Sequence, residues 1–264
     1  MKSLDVPDST AEATRQILVH LREAAVIGLP REWFETEQGD TNTPPNAAVN
    51  DQAARQNPCL SQVSRTDSRG SMSWEALESE AKGCRRCRLC ETRTNVVFGD
   101  GLREQPAVAF VGEGPGAEED SQGLPFVGRA GELLTAAITK GMGLRRTDVY
   151  IANVVKCRPP ENRAPLPDES ENCLPFLFRQ LELLQPRVIV TLGGPAQKAI
   201  VGKDQGITKL RGQWQDWRGI RVMPTLHPAY ILRNPAAKRD FWSDIQSVMK
   251  ELGIPVRAKA GEPE

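Results

Sequence analysis

The sequence has no net charge, few histidines and no long apolar run. Lys+Arg and Asp+Glu each number 34 in 264 residues, so bulk charge indicates no polyanionic partner. No apolar stretch reaches the roughly 20 residues that a membrane helix needs, and the residues after Met1 show no secretory pattern. We therefore expect a cytoplasmic protein without a membrane anchor, and a monomer. In that compartment the six cysteines should be thiols or metal ligands and not disulfides.

Composition divides the chain into four parts. Residues 1–34 carry an amphipathic helix pattern that suits packing or docking to a partner, which the sequence does not identify. Residues 35–73 are polar and proline-rich and predict a disordered linker. Residues 74–254 are predicted to form one domain, and residues 255–264 a disordered tail. Residues 1–73 hold 7 Lys+Arg and 10 Asp+Glu, so the remainder is mildly basic, which permits nucleic-acid binding.

In the predicted domain, strand patterns alternate with helical ones. Apolar strands are predicted at 107–111, 149–155 and 187–192, with a hairpin at 213–224. Helical periodicity is found at 74–81, 129–142, 168–184, 195–200 and 236–252. This alternation predicts a three-layer α/β/α fold with a mostly parallel central sheet.

The first strand ends in a glycine-rich loop, Gly112-Glu113-Gly114-Pro115-Gly116. Its glycines allow tight turns and a close approach of the backbone to a ligand. Ligands of open α/β sheets sit at the carboxyl ends of the strands. A nucleotide-binding loop is the alternative, but its glycines should open a helix directly, and the next helical pattern begins only near Arg129. Four carboxylates within 113–120 would also repel a pyrophosphate, so the loop better suits steadying a cation or a water.

Four cysteines form two pairs with the spacing of metal ligands: Cys84 with Cys87, and Cys157 with Cys173. Four thiolates suit both tetrahedral zinc and a [4Fe-4S] cluster, and spacing does not choose between them. The alternative is a set of unrelated free thiols. Cys59 lies in the predicted linker and Cys90 lies three residues past the first pair, and we assign neither a role.

Three more side chains are predicted near strand ends. His227 follows a strand and precedes Pro228; a lone histidine is usually structural, but this one shares the carboxyl edge of the sheet with Glu113. Asn153 lies among apolar residues, where an unpaired amide is costly, and it offers a donor and an acceptor that can read a base edge. Phe126 either packs in the core or stacks on a planar ligand.

Four motifs together resemble the iron-sulfur uracil-DNA glycosylases, family four of that superfamily. They are Gly112–Gly116 with Glu119-Asp120, Leu124–Gly128, Asn153–Pro160 and His227–Tyr230. The resemblance covers residues 74–252 and implies the uracil-DNA glycosylase fold. It also implies hydrolysis of the N-glycosidic bond of deoxyuridine in single- or double-stranded DNA, which leaves an abasic site for base excision repair. The alternative is a non-catalytic DNA-binding or redox iron-sulfur protein on the same fold.

The resemblance also implies a cofactor and roles for individual residues. The cofactor is a [4Fe-4S] cluster, and its ligands are Cys84, Cys87, Cys157 and Cys173. Glu113 is expected to steady a sugar cation and hold the attacking water, and His227 to donate to uracil O2. Substrate contacts are expected from Gly114 in the glycine loop, Glu119 beside uracil C5, Phe126 stacking on the ring and Asn153 at the O4 and N3 edge.

Five further residues are expected to bind DNA. Arginines near the strand ends are candidates for phosphate contacts: Arg158, Arg163 and Arg233. Ile231 or Leu232 is expected to wedge into the gap that the flipped base leaves.

Overall fold

A computed structural model of the chain describes residues 72–256. The predicted helix within 1–34, nearly all of the predicted linker at 35–73 and most of the predicted tail at 255–264 lie outside the described residues. Among the helices of 72–256, none is long and apolar enough to cross a membrane.

Six strands form one mostly parallel sheet. They are β1 (Asp100–Gly101), β2 (Val108–Gly112), β3 (Tyr150–Asn153), β4 (Val188–Leu192), β5 (Gln215–Trp217) and β6 (Ile220–Thr225). Their order is β1-β3-β2-β4-β6-β5, and the four central strands are parallel to one another. Edge strands β1 and β5 are antiparallel. The predicted strands and hairpin are confirmed, whereas β1, with two residues, is too short to leave a sequence pattern.

Helices connect the strands and cover both faces of the sheet. They are α1 (Trp74–Lys82), α2 (Ala117–Gln122), α3 (Arg129–Ala136), α4 (Pro167–Leu184), α5 (Gly194–Val201), α6 (Ile207–Leu210), α7 (Pro228–Arg233) and α8 (Lys238–Leu252). A single π-helical segment, Ala137–Gly141, extends α3.

Alternate residues of β2 face two separate cores, as the period of a strand requires. Ala109 and Val111 pack into the core that includes residues of α1, α4 and α5. Val108 and Phe110 pack into the other core, with residues of α3 and α8. All five residues of β2 are buried, so helices shield the strand on both sides. The predicted three-layer α/β/α arrangement is therefore confirmed.

Helix α2 begins directly after the glycine loop, which corrects the expectation that the next helix begins near Arg129. Its acidic residues serve the fold. Glu119 Oε2 accepts a hydrogen bond from Gly116 N at 3.0 Å and so closes the first turn of the helix. Asp120 is 3% exposed and accepts from Thr94 N at 2.9 Å. Sequence reasoning treated these carboxylates as free loop charges and therefore missed the helix.

The end of β6 is braced from α8 by a buried carboxylate. Asp244 is 2% exposed and accepts a hydrogen bond from the Thr225 hydroxyl at 2.6 Å. The Arg211 guanidinium donates to both oxygens of Asp244, at 2.7 and 3.1 Å. Thr225 is the last residue of β6, two positions before His227. This network therefore fixes the strand end that leads to the predicted histidine.

Removing this carboxylate should destabilise the protein. Asp244→Ala leaves the partly buried Arg211 cation without its buried carboxylate partner. We therefore expect a loss of about 3 kcal/mol in the free energy of unfolding. Asp240→Ala is the matched control, because Asp240 lies on the same helix near the same arginine but is exposed. That variant should lose less than about 1 kcal/mol. Urea unfolding followed by circular dichroism measures both, and equal losses would contradict the bracing role.

Candidate functional site

The parallel strands deliver the predicted site residues to one edge of the sheet. Gly112 and Asn153 are partners in the β2–β3 register, and both end their strands. Val155 N donates to Glu113 O at 3.1 Å, so the pairing continues into the loop and fixes the backbone of Glu113 beside the end of β3. His227 follows β6 two residues after its last residue. We call Glu113, Phe126, Asn153 and His227 the rim site.

Asn153 and Phe126 both pack directly against the backbone of Gly112. A Cβ at this position would lie 2.4 Å from Asn153 Oδ1 and 2.5 Å from Phe126 Cζ, so no larger residue fits without displacing one of them. The amide of Asn153 and the ring of Phe126 therefore converge above Gly112. Phe126 also meets the predicted histidine: the centroids of the Phe126 and His227 rings are 5.7 Å apart, with an angle of 32° between their planes.

Asn153 carries an unsatisfied acceptor. The residue is 1% exposed, and its Oδ1 has no hydrogen-bond partner among residues 72–256. Leaving a buried acceptor unpaired costs about 1 to 3 kcal/mol, so such groups in native proteins call for an explanation. A ligand N–H group would remove this cost.

The loop that carries Phe126 is held in a fixed shape. Phe126 has a φ of +52°, an uncommon value for a bulky residue, and is 6% exposed. Glu119 Oε1 accepts from Val127 N at 3.1 Å and from Gly128 N at 3.0 Å. Both carboxylate oxygens of Glu119 are thus used to hold the backbone. The expected place of Glu119 beside uracil C5 stays a prediction.

His227 is presented as a neutral donor. Its Nδ1 accepts from Ala229 N at 3.1 Å as the N-cap of α7, so the proton of the neutral ring lies on Nε2. Burial, with the charge of nearby Arg233, lowers the pKa of His227 to about 4. The imidazole is therefore neutral at pH 7 and offers one N–H group, at Nε2.

Glu113 is half-buried in the loop after β2. Burial raises the pKa of its carboxyl above the usual value. Gly114 follows, and a Cβ there would lie 2.8 Å from Val155 Cγ2, so the loop packs closely on the segment after β3. The carboxylate is thus held at the rim on a tightly packed backbone.

The three arginines predicted to contact DNA differ in their surroundings. Arg233 is exposed and forms no ion pair within the described part of the chain. Arg158 donates from Nε to Asn162 Oδ1 at 2.8 Å. Arg163 donates to both oxygens of the buried Glu169, at 2.7 and 2.8 Å, and so has an internal role that the sequence did not indicate. Its geometry gives no support to the expected phosphate contact.

The predicted wedge at Ile231 is contradicted. Ile231 is 1% exposed and packs in the core with α8, because Pro228–Arg233 forms a helix and turns this side chain inward. Leu232 is half-buried, so the alternative wedge residue stays a prediction. The neighbouring Tyr230, which sequence reasoning passed over, is 41% exposed. Its hydroxyl accepts from Asn234 Nδ2 at 2.9 Å.

A second site lies behind the rim, where five cysteines line one cavity: Cys84, Cys87, Cys90, Cys157 and Cys173. Within residues 72–256, no group of three or more His, Cys, Asp or Glu side chains is arranged to hold a single metal ion. Four thiolates can hold either tetrahedral zinc or a [4Fe-4S] cluster.

Hydrogen bonds to sulfur also suit a cluster. Arg93 Nη1 donates to Cys157 Sγ at 3.2 Å, and Lys156 N donates to Cys173 Sγ at 3.3 Å. Such donors stabilise the negative sulfurs of cluster ligands. The thiols and their donors therefore suit a thiolate-bound metal centre, which could be zinc or an iron-sulfur cluster. Cys59 lies outside the described residues.

Sequence reasoning missed two residues that organise these sites. Arg146 donates to Pro125 O, next to Phe126, and to Thr135 Oγ1. Lys156 is 2% exposed and lines the cysteine cavity. The signal for Lys156 was present in the sequence, as a lysine directly after an apolar strand and directly before a predicted ligand cysteine.

Comparisons with known proteins agree on one family. The model of the uracil DNA glycosylase superfamily matches residues 98–246. The chain is 52% identical over 162 residues to a type-4 uracil-DNA glycosylase of Thermotoga maritima, covering 61% of this chain and 83% of that protein. It is 44% identical over 190 residues to the type-4 enzyme of Sulfurisphaera tokodaii (69% and 86%). It is 41% identical over 186 residues to that of Saccharolobus solfataricus (67% and 86%).

Adding one methyl group at Gly112 should disturb the rim site. In Gly112→Ala the new Cβ must displace Asn153 or Phe126, so we expect binding of a planar ligand there to weaken at least about tenfold. Gly194→Ala is the matched control, since a Cβ at that neighbouring strand end meets no atom within 4 Å. Affinity for free uracil, measured by calorimetry, separates the two variants. Equal affinity for uracil in both variants would show that Gly112 does not set the distance between the Asn153 amide and the Phe126 ring.

Proposed function

The chain belongs to the type-4 uracil-DNA glycosylases, and we propose that its rim site is where the base is bound and cut. Enzymes of this family hydrolyse the N-glycosidic bond of uracil in DNA, and the function lies in DNA repair. The observation that carries the assignment to the rim is the unpaired Oδ1 of Asn153, buried beside an aromatic ring and an imidazole donor.

Recognition begins when the uridine is flipped out of the strand, at a cost of a few kcal/mol. The ring of Phe126 offers a face on which the base stacks. Asn153 Oδ1 accepts from uracil N3–H, and its Nδ2 donates to O4. Cytosine has an acceptor at N3 and an amino group at C4, so it would leave both partners of the amide unpaired. This mismatch rejects cytosine far more strongly than a difference in size would.

Cleavage separates a cationic sugar from an anionic base. The Glu113 carboxylate stabilises the cation and orients the water that attacks C1′. The His227 Nε2–H group donates to O2 of the departing uracil, where negative charge develops. Because burial keeps the imidazole neutral and the Nδ1 cap leaves its proton on Nε2, His227 acts as a fixed hydrogen-bond donor and transfers no proton. The backbone at Gly114 allows a close approach of the loop to the sugar.

We also propose that a [4Fe-4S] cluster occupies the cysteine cavity. Its ligands are Cys84, Cys87, Cys157 and Cys173, and Cys90 lines the same cavity as a fifth thiol. When bound, the cluster supplies a cross-link between the segment after α1 and the helix α4. Closing a loop of this length stabilises the folded chain. The type-4 names of the relatives support this cofactor.

The DNA strand is held by the exposed residues around the rim. Arg233 and Arg158 contact phosphates, and the charge of Arg233 already acts on His227. Tyr230 takes the place that sequence reasoning gave to Ile231, because its ring is exposed three residues after His227. Leu232 remains a second apolar contact to the bases next to the flipped uridine.

Excision of uracil tests the assignment of catalytic groups. Glu113→Gln removes the carboxylate, and His227→Ser keeps an N-cap oxygen for Ala229 N but removes the imidazole donor. Each should lower the rate of excision about 10² to 10⁴-fold, while the fold and the brown colour of the cluster persist. The assay compares oligonucleotides that carry uracil, thymine or cytosine at one position. Glu132→Gln, at an exposed position of α3, is the control and should keep full activity. Unchanged excision in both site variants would overturn the assignment.

The pH dependence of kcat/KM should report Glu113 and not His227. The carboxylate is needed in its charged form, and burial raises its pKa, so activity falls as the pH drops through a value above the ordinary pKa of a glutamate. His227 has a lowered pKa of about 4, so it stays neutral throughout this range. The residual activity of Glu113→Gln should lack this acid limb.

The histidine can be followed directly, because the chain contains only two. In an NMR titration, the imidazole signal that is absent from His227→Ser should titrate at about pH 4. A midpoint near the ordinary value of about 6.5 would contradict the neutral-donor role.

A further inference from the structure

Lys156 is a buried cation that touches both sites of the molecule. It is 2% exposed, and its side chain is among the largest that are fully buried. Its Nζ donates to the backbone carbonyl of Asn153 at 2.9 Å and to Gln180 Oε1 at 2.6 Å. Gln180 is itself held, since its Nε2 donates to Phe98 O and to the Tyr150 hydroxyl, both at 2.9 Å. The ammonium group is therefore fixed in one position.

These hydrogen bonds leave the charge of Lys156 uncompensated. A carbonyl and an amide are neutral acceptors, and within residues 72–256 no carboxylate pairs with this lysine. Burying an unpaired ammonium group costs several kcal/mol, so buried charges are normally matched by an opposite charge. Lys156 lines the same cavity as Cys157 and Cys173, whose sulfurs can supply negative charge.

The same residue connects the two sites along the backbone. Lys156 N donates to Cys173 Sγ at 3.3 Å, and the next residue is Cys157. Three residues earlier stands Asn153, whose carbonyl receives Nζ and whose side chain is the proposed uracil reader. The ammonium group of Lys156 can therefore balance negative charge on the cysteine sulfurs while it donates a hydrogen bond to the backbone of Asn153.

We propose that Lys156 is a positioning residue: it offsets the negative charge of a cluster on the cysteines and holds Asn153 in the orientation that reads uracil. The inference rests on the proposed function, because it needs both the cluster and the role of Asn153. On this proposal the charge of the cluster affects base recognition through Lys156, and the cluster takes no part in cleavage of the bond.

Lys156→Met removes the charge and the donor while keeping the length and apolar stem of the side chain. With the positive charge gone, an added electron on the cluster is less favoured, so the reduction potential of the cluster should become more negative. With the hydrogen bond to the Asn153 carbonyl gone, affinity for free uracil should fall about 10- to 100-fold. Potentials come from a spectroelectrochemical titration, and affinities from calorimetry. Lys198→Met, at an exposed lysine, is the control and should change neither.

Gln180→Glu separates the two roles and serves if Lys156→Met fails to fold. It places a carboxylate on the ammonium group, so the charge of Lys156 is balanced locally while its hydrogen bond to Asn153 remains. The cluster potential should again become more negative, but affinity for uracil should stay within about threefold of the parent value.

Three outcomes would overturn the inference. An unchanged potential in both variants would show that Lys156 does not offset the cluster charge. Unchanged uracil affinity in Lys156→Met would remove its link to Asn153. Loss of uracil affinity in Gln180→Glu equal to that in Lys156→Met would show a merely structural role. If the parent protein itself has no cluster or binds no uracil, then the proposed function fails, which is a separate result.

Discussion

The rim site depends on one strand register. Gly112 of β2 stands opposite Asn153 of β3, and the absent side chain of the glycine leaves the space in which Asn153 and Phe126 meet. A shift of one residue would turn Asn153 to the opposite face, because side chains alternate along a strand. The parallel pairing thus determines which side chains lie together at the rim. It also explains why residues far apart in the chain arrive at one edge.

Around this pairing, the protein uses its charged groups mainly to fix the backbone. Glu119 and Asp120, which resemble free acids in the sequence, accept backbone N–H groups at two different segments. Arg146 holds the carbonyl before Phe126. The Phe126 ring and the Asn153 amide are thus already in place, and groups that are preorganised lose little freedom when a ligand binds. The strained φ of Phe126 is maintained by these bonds.

Sequence patterns predicted the fold well because the central strands are short, apolar and flanked by turn signals. They also predicted that Glu113, Asn153 and His227 follow strands whose carboxyl ends lie at one edge of the sheet, because the central strands are parallel. They failed where a tertiary contact decides the local structure. Helix α7 turns Ile231 inward and exposes Tyr230, and periodicity over six residues cannot reveal that orientation. Arg163 looked like a surface cation because its partner, Glu169, is hidden by the fold.

The two sites are tied together by the shortness of the chain between them. Five residues run from Asn153, which ends β3, to Cys157, which lines the cysteine cavity. No flexible linker separates them, since Val154 N and Val155 N pair with the backbone of Gly112 and Glu113. If the segment at Cys157 moves, then either Asn153 moves with it or the backbone hydrogen bonds of Val154 and Val155 break.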